Sequence, residues 1–231
     1  MFRYCDLDLV NRPESRQIVT EIERLAELSC LEGGWFSQSL RAFEYPFVVF
    51  FLRKHLPLGA GILDVGVFRS PFPHYMARMG YKVTAIDINK RLLPRWCLSK
   101  LQLHTNVKYR FANMERTKFP SGSFDCITSV SVLEHMQDPL CSLRESARLL
   151  KPGGFLLLTC DMVIPGHGMS CPHRALTKED VAVMFSQVPD LKPFGTFEFD
   201  EGAALKFYEW VKTTAPHHQY IGGVGVFVRG D

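Results

Sequence analysis

From residue 61 onward, short apolar segments alternate with amphipathic ones, and this alternation restricts the fold more than any other feature of the sequence. Five of the apolar segments have the length and composition of buried strands: 61–66, 81–87, 107–111, 124–130 and 154–160. Apolar strands separated by helices indicate a parallel sheet that helices cover on both faces. We therefore predict an α/β fold with three layers, and two further strands at 196–200 and 220–229.

Capping residues and prolines mark where the helices between these strands begin. Ser70-Pro71 and Asp138-Pro139 each place a capping side chain directly before a proline at the first helical position. Residues 177–180 (TKED) have the pattern of a capping box, which predicts another helix start. The helix boundaries therefore agree with the alternating order of strands and helices.

The sequence before residue 57 has a different character, because it is helical in pattern and rich in aromatic residues. Residues 14–32 and 38–55 predict two helices, the first of which ends at Gly33-Gly34. We predict a helical cap or lid over residues 1–56 and an α/β domain over residues 57–231. Aromatic side chains of the cap form either a lid over a substrate or ordinary core: Trp35, Phe36, Phe43, Tyr45 and Phe47.

Composition restricts the partners and the compartment. The 231 residues are 46% hydrophobic and 22% charged with a net charge of +3, which predicts no nucleic-acid and no membrane partner. The basic stretch 90–100 is interpreted as the solvated outer face of a helix. Seven cysteines without a CxxC pair, no leader-like start and no apolar run long enough to span a bilayer predict a cytoplasmic protein.

Candidate ligand-binding residues follow two of the predicted strands. Asp64-Val65-Gly66 ends the first strand, and Asp87 ends the second. Ligands of such sheets bind beyond the carboxyl ends of the strands, where a glycine permits close approach and an acid accepts hydrogen bonds from ribose hydroxyls. This pair of features alone is compatible with NAD, another nucleotide or S-adenosylmethionine.

Four segments taken in order are more specific. ILDVG, SPFPHYMARMGYKVTAIDIN, SFDCITSVSVLEH and ARLLKPGGFLLLT lie between residues 57 and 160, and together they resemble the class I S-adenosylmethionine-dependent methyltransferases with a type 11 methyltransferase domain. The resemblance implies a Rossmann-like fold with a seven-stranded, mostly parallel sheet whose last two strands form an antiparallel hairpin. It also implies S-adenosylmethionine as cofactor and methyl transfer as the reaction.

The resemblance further implies which residues hold the cofactor. Asp64 and Gly66 correspond to residues at the methionine end, and Asp87 corresponds to the residue that holds the ribose. Ile88, Asn113 and Met114 would contact the adenine. Ser129 and Val130 would lie near the sulfonium. Asn113 stands where the family usually has an aspartate, and its carbonyl oxygen can accept the same hydrogen bond.

One residue departs from the family's glycine-rich loop. Phe68 occupies the second glycine position, where the family needs a positive φ or a close backbone approach. This departure predicts a rebuilt loop, a weaker cofactor site or another role for the cofactor.

Three histidines are candidates for the proton acceptor that methylation of an oxygen or nitrogen requires. His135 follows the fourth strand and ranks first, and His173 and His167 in the next loop rank after it. Cys160, Cys171 and these two loop histidines match no familiar zinc spacing, so no metal is expected. His217-His218 is expected to lie at the surface.

We therefore expect methyl transfer from S-adenosylmethionine to an oxygen or nitrogen of a small-molecule acceptor, by a monomer or homodimer. Two alternatives remain open at this point. One is a silent methyltransferase-like subunit that binds the cofactor weakly or not at all, which Phe68 suggests. The other is an enzyme that uses the same fold for another reaction, such as a cyclisation.

Overall fold

The computed structural model describes residues 2–32, 36, 39–171, 173–174, 176–214 and 219–230. Its strands β1 to β9 are Phe2–Tyr4, Gly61–Val65, Lys82–Asp87, Lys108–Phe111, Phe124–Val130, Leu150–Met162, Leu191–Pro193, Phe197–Glu198 and Ile221–Arg229. Its helices α1 to α8 are Leu7–Val10, Pro13–Glu27, Arg41–His55, Phe72–Arg78, Leu93–Leu103, Pro139–Leu149, Lys178–Ser186 and Glu201–Thr214.

The strands form one sheet in the order β4-β3-β2-β5-β6-β9-β1-β8, and β7 pairs with β9. The strands β2 to β6 are parallel to one another, whereas β9 is antiparallel to β6, β1 and β7. The strand order reverses at β2, since the chain turns to β3 on one side and returns to β5 on the other. Val65 is in register with Ile86 and with Ser129, so the carboxyl ends of these three strands meet at one edge.

The predicted α/β class is confirmed, but two details of the sheet were wrong. Nine strands are present in the described residues rather than seven, and the last two strands form no hairpin. The strand predicted at 196–200 is reduced to β8, which pairs in parallel with β1. Asp200 ends that extended segment because its side chain accepts a hydrogen bond from the Ala203 amide (2.9 Å) and starts α8. The three-residue β1 was missed because so short a segment carries no periodicity.

The N-terminal section is continuous with the sheet. β1 lies between β9 and β8, and α2 and α3 pack on each other and share one hydrophobic core with the strands. Phe43, Val48 and Leu52 of α3 are completely buried. The division at residue 56 stays a prediction, while the structure joins both parts through a common core.

The aromatic residues of this section fall into two groups. Phe36 and Tyr45 contact each other edge to face, with ring centroids 5.4 Å apart, and both border the cavity described below. Phe43 and Phe47 stack on each other in the core. Trp35, the Gly33-Gly34 helix stop and His217-His218 lie outside the described residues. The core interpretation therefore holds for Phe43 and Phe47, and a lid formed by Phe36 and Tyr45 stays a prediction.

No helix in the part of the chain that the structure describes combines the length and the apolar composition needed to cross a membrane.

Candidate functional site

A cavity of about 610 Å³ opens where the carboxyl ends of β2, β3 and β5 meet. Most of the predicted cofactor residues and one predicted histidine line it: Asp64, Gly66, Asp87, Ile88, Asn113, Met114, Val130 and His135. Ser129 does not, since alternation along β5 turns it to the opposite face, where it lines a separate narrow cleft with Leu143 and Leu158. Ser131, two residues on, borders the cavity instead.

The loop after β2 brings its backbone to the cavity wall. Gly66 has a φ of +68°, and a side-chain carbon at this position would lie 2.6 Å from both Val132 methyl groups. Glycine is therefore required here for its backbone conformation and also for the space.

Phe68 has a left-handed backbone conformation, with a φ of +41°. Hydrogen bonds hold this conformation from two sides. The Phe68 amide donates to Asp87 Oδ2 (2.8 Å), and Trp96 Nε1 donates to the Phe68 carbonyl (2.8 Å). The Phe68 ring is 47% exposed and borders the cavity. Phe68 therefore occupies a backbone conformation that usually favours glycine, and these two hydrogen bonds hold it there.

Asp87 connects the loop to the cofactor side of the cavity. Its Oδ1 accepts the Asn89 amide (2.8 Å), and its Oδ2 accepts the Phe68 amide. Each carboxylate oxygen accepts more than one hydrogen bond, so this buried group has acceptor capacity left on the cavity side. A pair of ribose hydroxyls is the kind of donor that such a fixed carboxylate suits.

Asp64 and Arg41 place an acid and a guanidinium on the lining of the same cavity. Thr128 Oγ1 donates to Asp64 Oδ1 (2.6 Å), and burial raises the pKa of Asp64 to about 7. Arg41 lies at the start of α3, with its side chain 20% exposed. When ionised, a carboxyl group and a guanidinium fit the ammonium and carboxylate groups of an amino-acid moiety.

Glu44 holds Arg41 in place from inside the protein. The Glu44 carboxylate is fully buried and accepts hydrogen bonds from Arg41, from Ser131 Oγ (2.7 Å) and from Thr159 Oγ1 (2.6 Å). Arg41 Nη1 also donates to Ser131 Oγ (2.6 Å), and Ser131 has a φ of +49°. The sequence analysis missed this polar network. The acid Glu44, within a helix rich in aromatic residues, was a signal that could have indicated it.

A second pair of acids lies close to this network. Glu134 and Asp161 are both buried, and burial followed by repulsion between the carboxylates of this region raises the pKa of each. The pKa of Asp161 is about 7. The pair therefore retains a proton at neutral pH.

The structure brings together two of the three candidate histidines. His135 borders the cavity, and its ring lies edge to face with His173 at a centroid distance of 4.0 Å. The pKa of His135 is lowered by partial burial and by the nearby charges of His173 and Arg41. Its imidazole is therefore neutral at pH 7 and able to accept a proton. His167 is exposed and does not border the cavity, and Glu201 is a charged neighbour of it.

The N-terminal section is tied to the loop after β2 at the cavity mouth. Arg69 forms an ion pair with Glu32, and the Glu32 amide donates to the Arg69 carbonyl (3.0 Å). Tyr45 Oη and Ser70 Oγ form a hydrogen bond of 2.9 Å. Tyr45 is thereby fixed at the cavity lining, and Phe36 lines the cavity beside it.

Among the residues that the structure describes, no group of three His, Cys, Asp or Glu side chains is arranged to hold a metal ion. All seven cysteines are among these residues, and all are free thiols.

A family profile described as a methyltransferase domain matches residues 63–158, which include the last three residues of β2, all of β3 to β5 and most of β6. Ubiquinone biosynthesis O-methyltransferase from Xanthomonas campestris pv. campestris is 43% identical over 108 residues, which are 46% of this chain and 45% of that protein. The same enzyme from Xanthomonas axonopodis pv. citri is 41% identical over 104 residues, 45% of this chain and 44% of that protein. The chain thus spans about half the length of the curated relatives it matches.

Solved structures share the fold over nearly the whole chain. The [4+2]-cyclase SpnF has a TM-score of 0.68 at 16% identity and covers 96% of both chains. Geranyl diphosphate C-methyltransferase from Streptomyces coelicolor A3(2) has a TM-score of 0.64 at 15% identity, over 98% of this chain and 91% of that one. At these identities the likeness concerns the fold alone.

The sheet order and the cavity at the strand reversal define a Rossmann-like fold. Residues 63–158 match a methyltransferase domain, and this part of the chain is similar to the class I S-adenosylmethionine-dependent methyltransferases.

Proposed function

We propose that this protein transfers a methyl group from S-adenosylmethionine to an oxygen or nitrogen atom of a small-molecule acceptor. The main support for the proposal is that Asp64, Gly66 and Asp87 border the same cavity at the strand reversal. The sequence relatives named as O-methyltransferases support oxygen as the first acceptor atom to test.

The residues of the cavity fit the cofactor group by group. Asp87 would hold the ribose hydroxyls, and Asp64 and Arg41 would hold the ammonium and carboxylate of the methionine part. Ile88, Asn113 and Met114 would border the adenine, although Asn113 Oδ1 already accepts the Glu115 amide (2.9 Å). When bound, S-adenosylmethionine supplies a methyl group carried on a positively charged sulfur.

The protein's contribution to such a transfer is alignment, exclusion of water and removal of a proton. Phe36 and Tyr45 exclude water from one side of the cavity. His135 is a neutral imidazole at the cavity wall and would take the proton of the acceptor, with His173 beside it. His167 lies apart from the cavity, so His135 and His173 are the histidines to test first.

Thermal denaturation with added ligands tests the cofactor site. S-adenosylhomocysteine is expected to raise the melting temperature, because a ligand that binds only the folded state stabilises it, whereas NAD should leave it unchanged. Turnover is then measured as consumption of S-adenosylmethionine with phenolic and amine acceptors. Binding without consumption would favour the silent subunit or a non-methylating enzyme, and no binding of S-adenosylhomocysteine would contradict the proposal.

Asp87→Ala is expected to weaken S-adenosylhomocysteine binding by ten- to a hundredfold, about 1.5–3 kcal/mol. The variant loses the ribose acceptor and also the acceptor of the Phe68 amide, so the loop after β2 loses support as well. Isothermal calorimetry gives the affinity, and Asp125→Ala, at an acid on β5 outside the cavity, is the control. Equal losses in both variants, or no loss in either, would contradict the assignment of Asp87.

Phe68→Gly is expected to leave cofactor affinity unchanged or to raise it. Glycine relieves a left-handed strain of roughly 1–2 kcal/mol, but it also adds freedom to the unfolded chain, so stability should change little. Phe68→Ala is the matched control, because it removes the ring and keeps the strain. A loss of affinity in both variants would show instead that the ring packs on the ligand.

A further inference from the structure

The loop after β2 makes a tight turn in which Phe68 has the least suitable position. The Ser70 amide donates to the Val67 carbonyl (2.8 Å), so residues 67–70 form a turn whose second residue is Phe68. A positive φ at the second position of a turn is normally left to glycine, asparagine or aspartate. Phe68 has such a φ, +41°. A turn of this kind depends on contacts from outside the turn to keep its conformation.

Trp96 of α5 supplies one of these contacts. The Trp96 side chain is completely buried, and its Nε1 donates to the Phe68 carbonyl (2.8 Å). A buried indole N–H that loses its acceptor is costly. If the peptide after Phe68 turned away to relieve the left-handed strain, Trp96 would lose this acceptor. The strain in the turn is therefore opposed by a hydrogen bond that the core of the protein makes.

The Trp96 ring is itself held in place by two other elements. It stacks on Tyr109 of β4, with centroids 4.8 Å apart and ring planes within 11° of parallel. Tyr109 Oη lies 2.8 Å from Nε2 of His74, a completely buried residue of α4. The indole therefore has a fixed orientation, in which its N–H points at the loop.

Phe68 connects this core contact to the ligand site. Its amide donates to Asp87 Oδ2 (2.8 Å), and both residues line the cavity. The bonds to Trp96 and Asp87 hold the two peptide planes on either side of the Phe68 Cα, and so they fix its φ and ψ together. If the turn relaxed, Asp87 would keep only the Asn89 amide to orient its carboxylate.

We propose that Trp96 is a positioning residue for the cofactor: its indole N–H holds Phe68 in the left-handed conformation and thereby keeps Asp87 oriented for the ribose. The inference rests on the proposed function of the cavity. It adds a core residue that does not itself border the cavity. Glycine adopts a left-handed turn without such a partner, so the need for Trp96 arises from Phe68.

A role in core packing alone makes a different prediction. If Trp96 only fills space, its replacement costs the same whether residue 68 is phenylalanine or glycine. If Trp96 holds the turn, the effect on cofactor affinity depends on Phe68. A double-mutant cycle between the two positions separates these cases, because the cost of the space left by a smaller ring is common to both backgrounds.

Isothermal calorimetry with S-adenosylhomocysteine measures the cycle. Trp96→Phe is expected to weaken binding by roughly three- to tenfold, the effect of one lost hydrogen bond. In the Phe68→Gly background the same change should weaken binding by less than about twofold, because glycine keeps the turn without the bond. Equal losses in both backgrounds, or no loss in either, would overturn the inference.

Two further variants separate the N–H group from the volume of the ring. Replacing Trp96 by 3-benzothienylalanine keeps the ring size and removes only the N–H, so this variant should fold and should lose affinity as Trp96→Phe does. Trp210→Phe is the matched control, at a half-buried residue of α8 that packs on Phe207 and does not line the cavity. Full affinity in the benzothienyl variant, or an equal loss in Trp210→Phe, would contradict the role of the indole N–H.

Amide hydrogen exchange follows the turn itself. The Phe68 amide should exchange faster in the benzothienyl variant, while the amides of Leu63 and Ile127 in the sheet stay as protected as before. Equal acceleration at all three amides would show a general loss of stability and overturn the inference. If the unsubstituted protein does not bind S-adenosylhomocysteine, the proposed function fails and this inference fails with it. Normal binding that is unchanged by loss of the N–H overturns this inference alone.

Discussion

Replacing Arg41 with methionine is expected to lower the free energy of unfolding by about 3–5 kcal/mol, the largest effect on stability that we expect from one substitution. The change leaves the Glu44 carboxylate buried without its cation, and a buried charge that loses its partner is costly. Ser131 and Thr159 still donate to Glu44, but neutral hydroxyls do not replace the guanidinium. Urea denaturation of both proteins measures the difference.

The double variant Arg41→Met/Glu44→Gln separates the loss of charge balance from the loss of packing. It should recover much of the stability, because the amide removes the unpaired charge. Lys212→Met is the surface control, since its ion pair with Glu209 is exposed and should contribute less than about 1 kcal/mol. If Arg41→Met and Lys212→Met have equal effects, the buried network does not stabilise the fold in this way.

Gly66→Ala is expected to lower the free energy of unfolding by about 2–5 kcal/mol and to prevent cofactor binding. The left-handed backbone contributes roughly 1–2 kcal/mol of this cost, and the collision of the new methyl group with Val132 contributes about 1–3 kcal/mol. Relieving the collision would move the loop that forms the cavity wall. Thermal melts and calorimetry with S-adenosylhomocysteine measure the two effects.

Gly59→Ala separates the two contributions to this cost. Gly59 has a φ of +83°, but no atom lies within 4 Å of the position of a new side-chain carbon, so only the backbone term remains. Adding Val132→Ala to Gly66→Ala should restore part of the affinity, because it removes both colliding methyl groups. If Gly59→Ala is as damaging as Gly66→Ala, close contact with Val132 is not the reason for this glycine.

The features predicted from the sequence share a local physical cause. A strand with Asp64 or Asp87 at or next to its last position places that side chain at the carboxyl edge of a parallel sheet, whatever the rest of the chain does. Capping residues such as Asp138 set helix starts by the same local reasoning, and its side chain accepts the Cys141 amide (3.0 Å). The α/β class and most of the cavity wall could therefore be predicted.

The features that were missed depend on contacts between distant parts of the chain. Glu44 and Thr159 meet only after α3 has packed on the sheet, and Glu134 meets Asp161 in the same way. Ser129 was assigned to the cofactor because its position along β5 was right, but the face to which it points was not considered. Phe68 has a left-handed backbone held by hydrogen bonds to Asp87 and Trp96, which the sequence alone does not show.

The position of β1 in the sheet has a consequence for the order in which the protein folds. Phe2 is in register with Gly225 of β9, so a strand made early in synthesis has no antiparallel partner until β9 has left the ribosome. Contacts between such distant residues form slowly, because a long loop must close first. β2 to β6 have their partners nearby in sequence and can assemble earlier. We therefore expect the half of the sheet that carries Asp64 and Asp87 to form first and the edge made by β1 and β8 to form last.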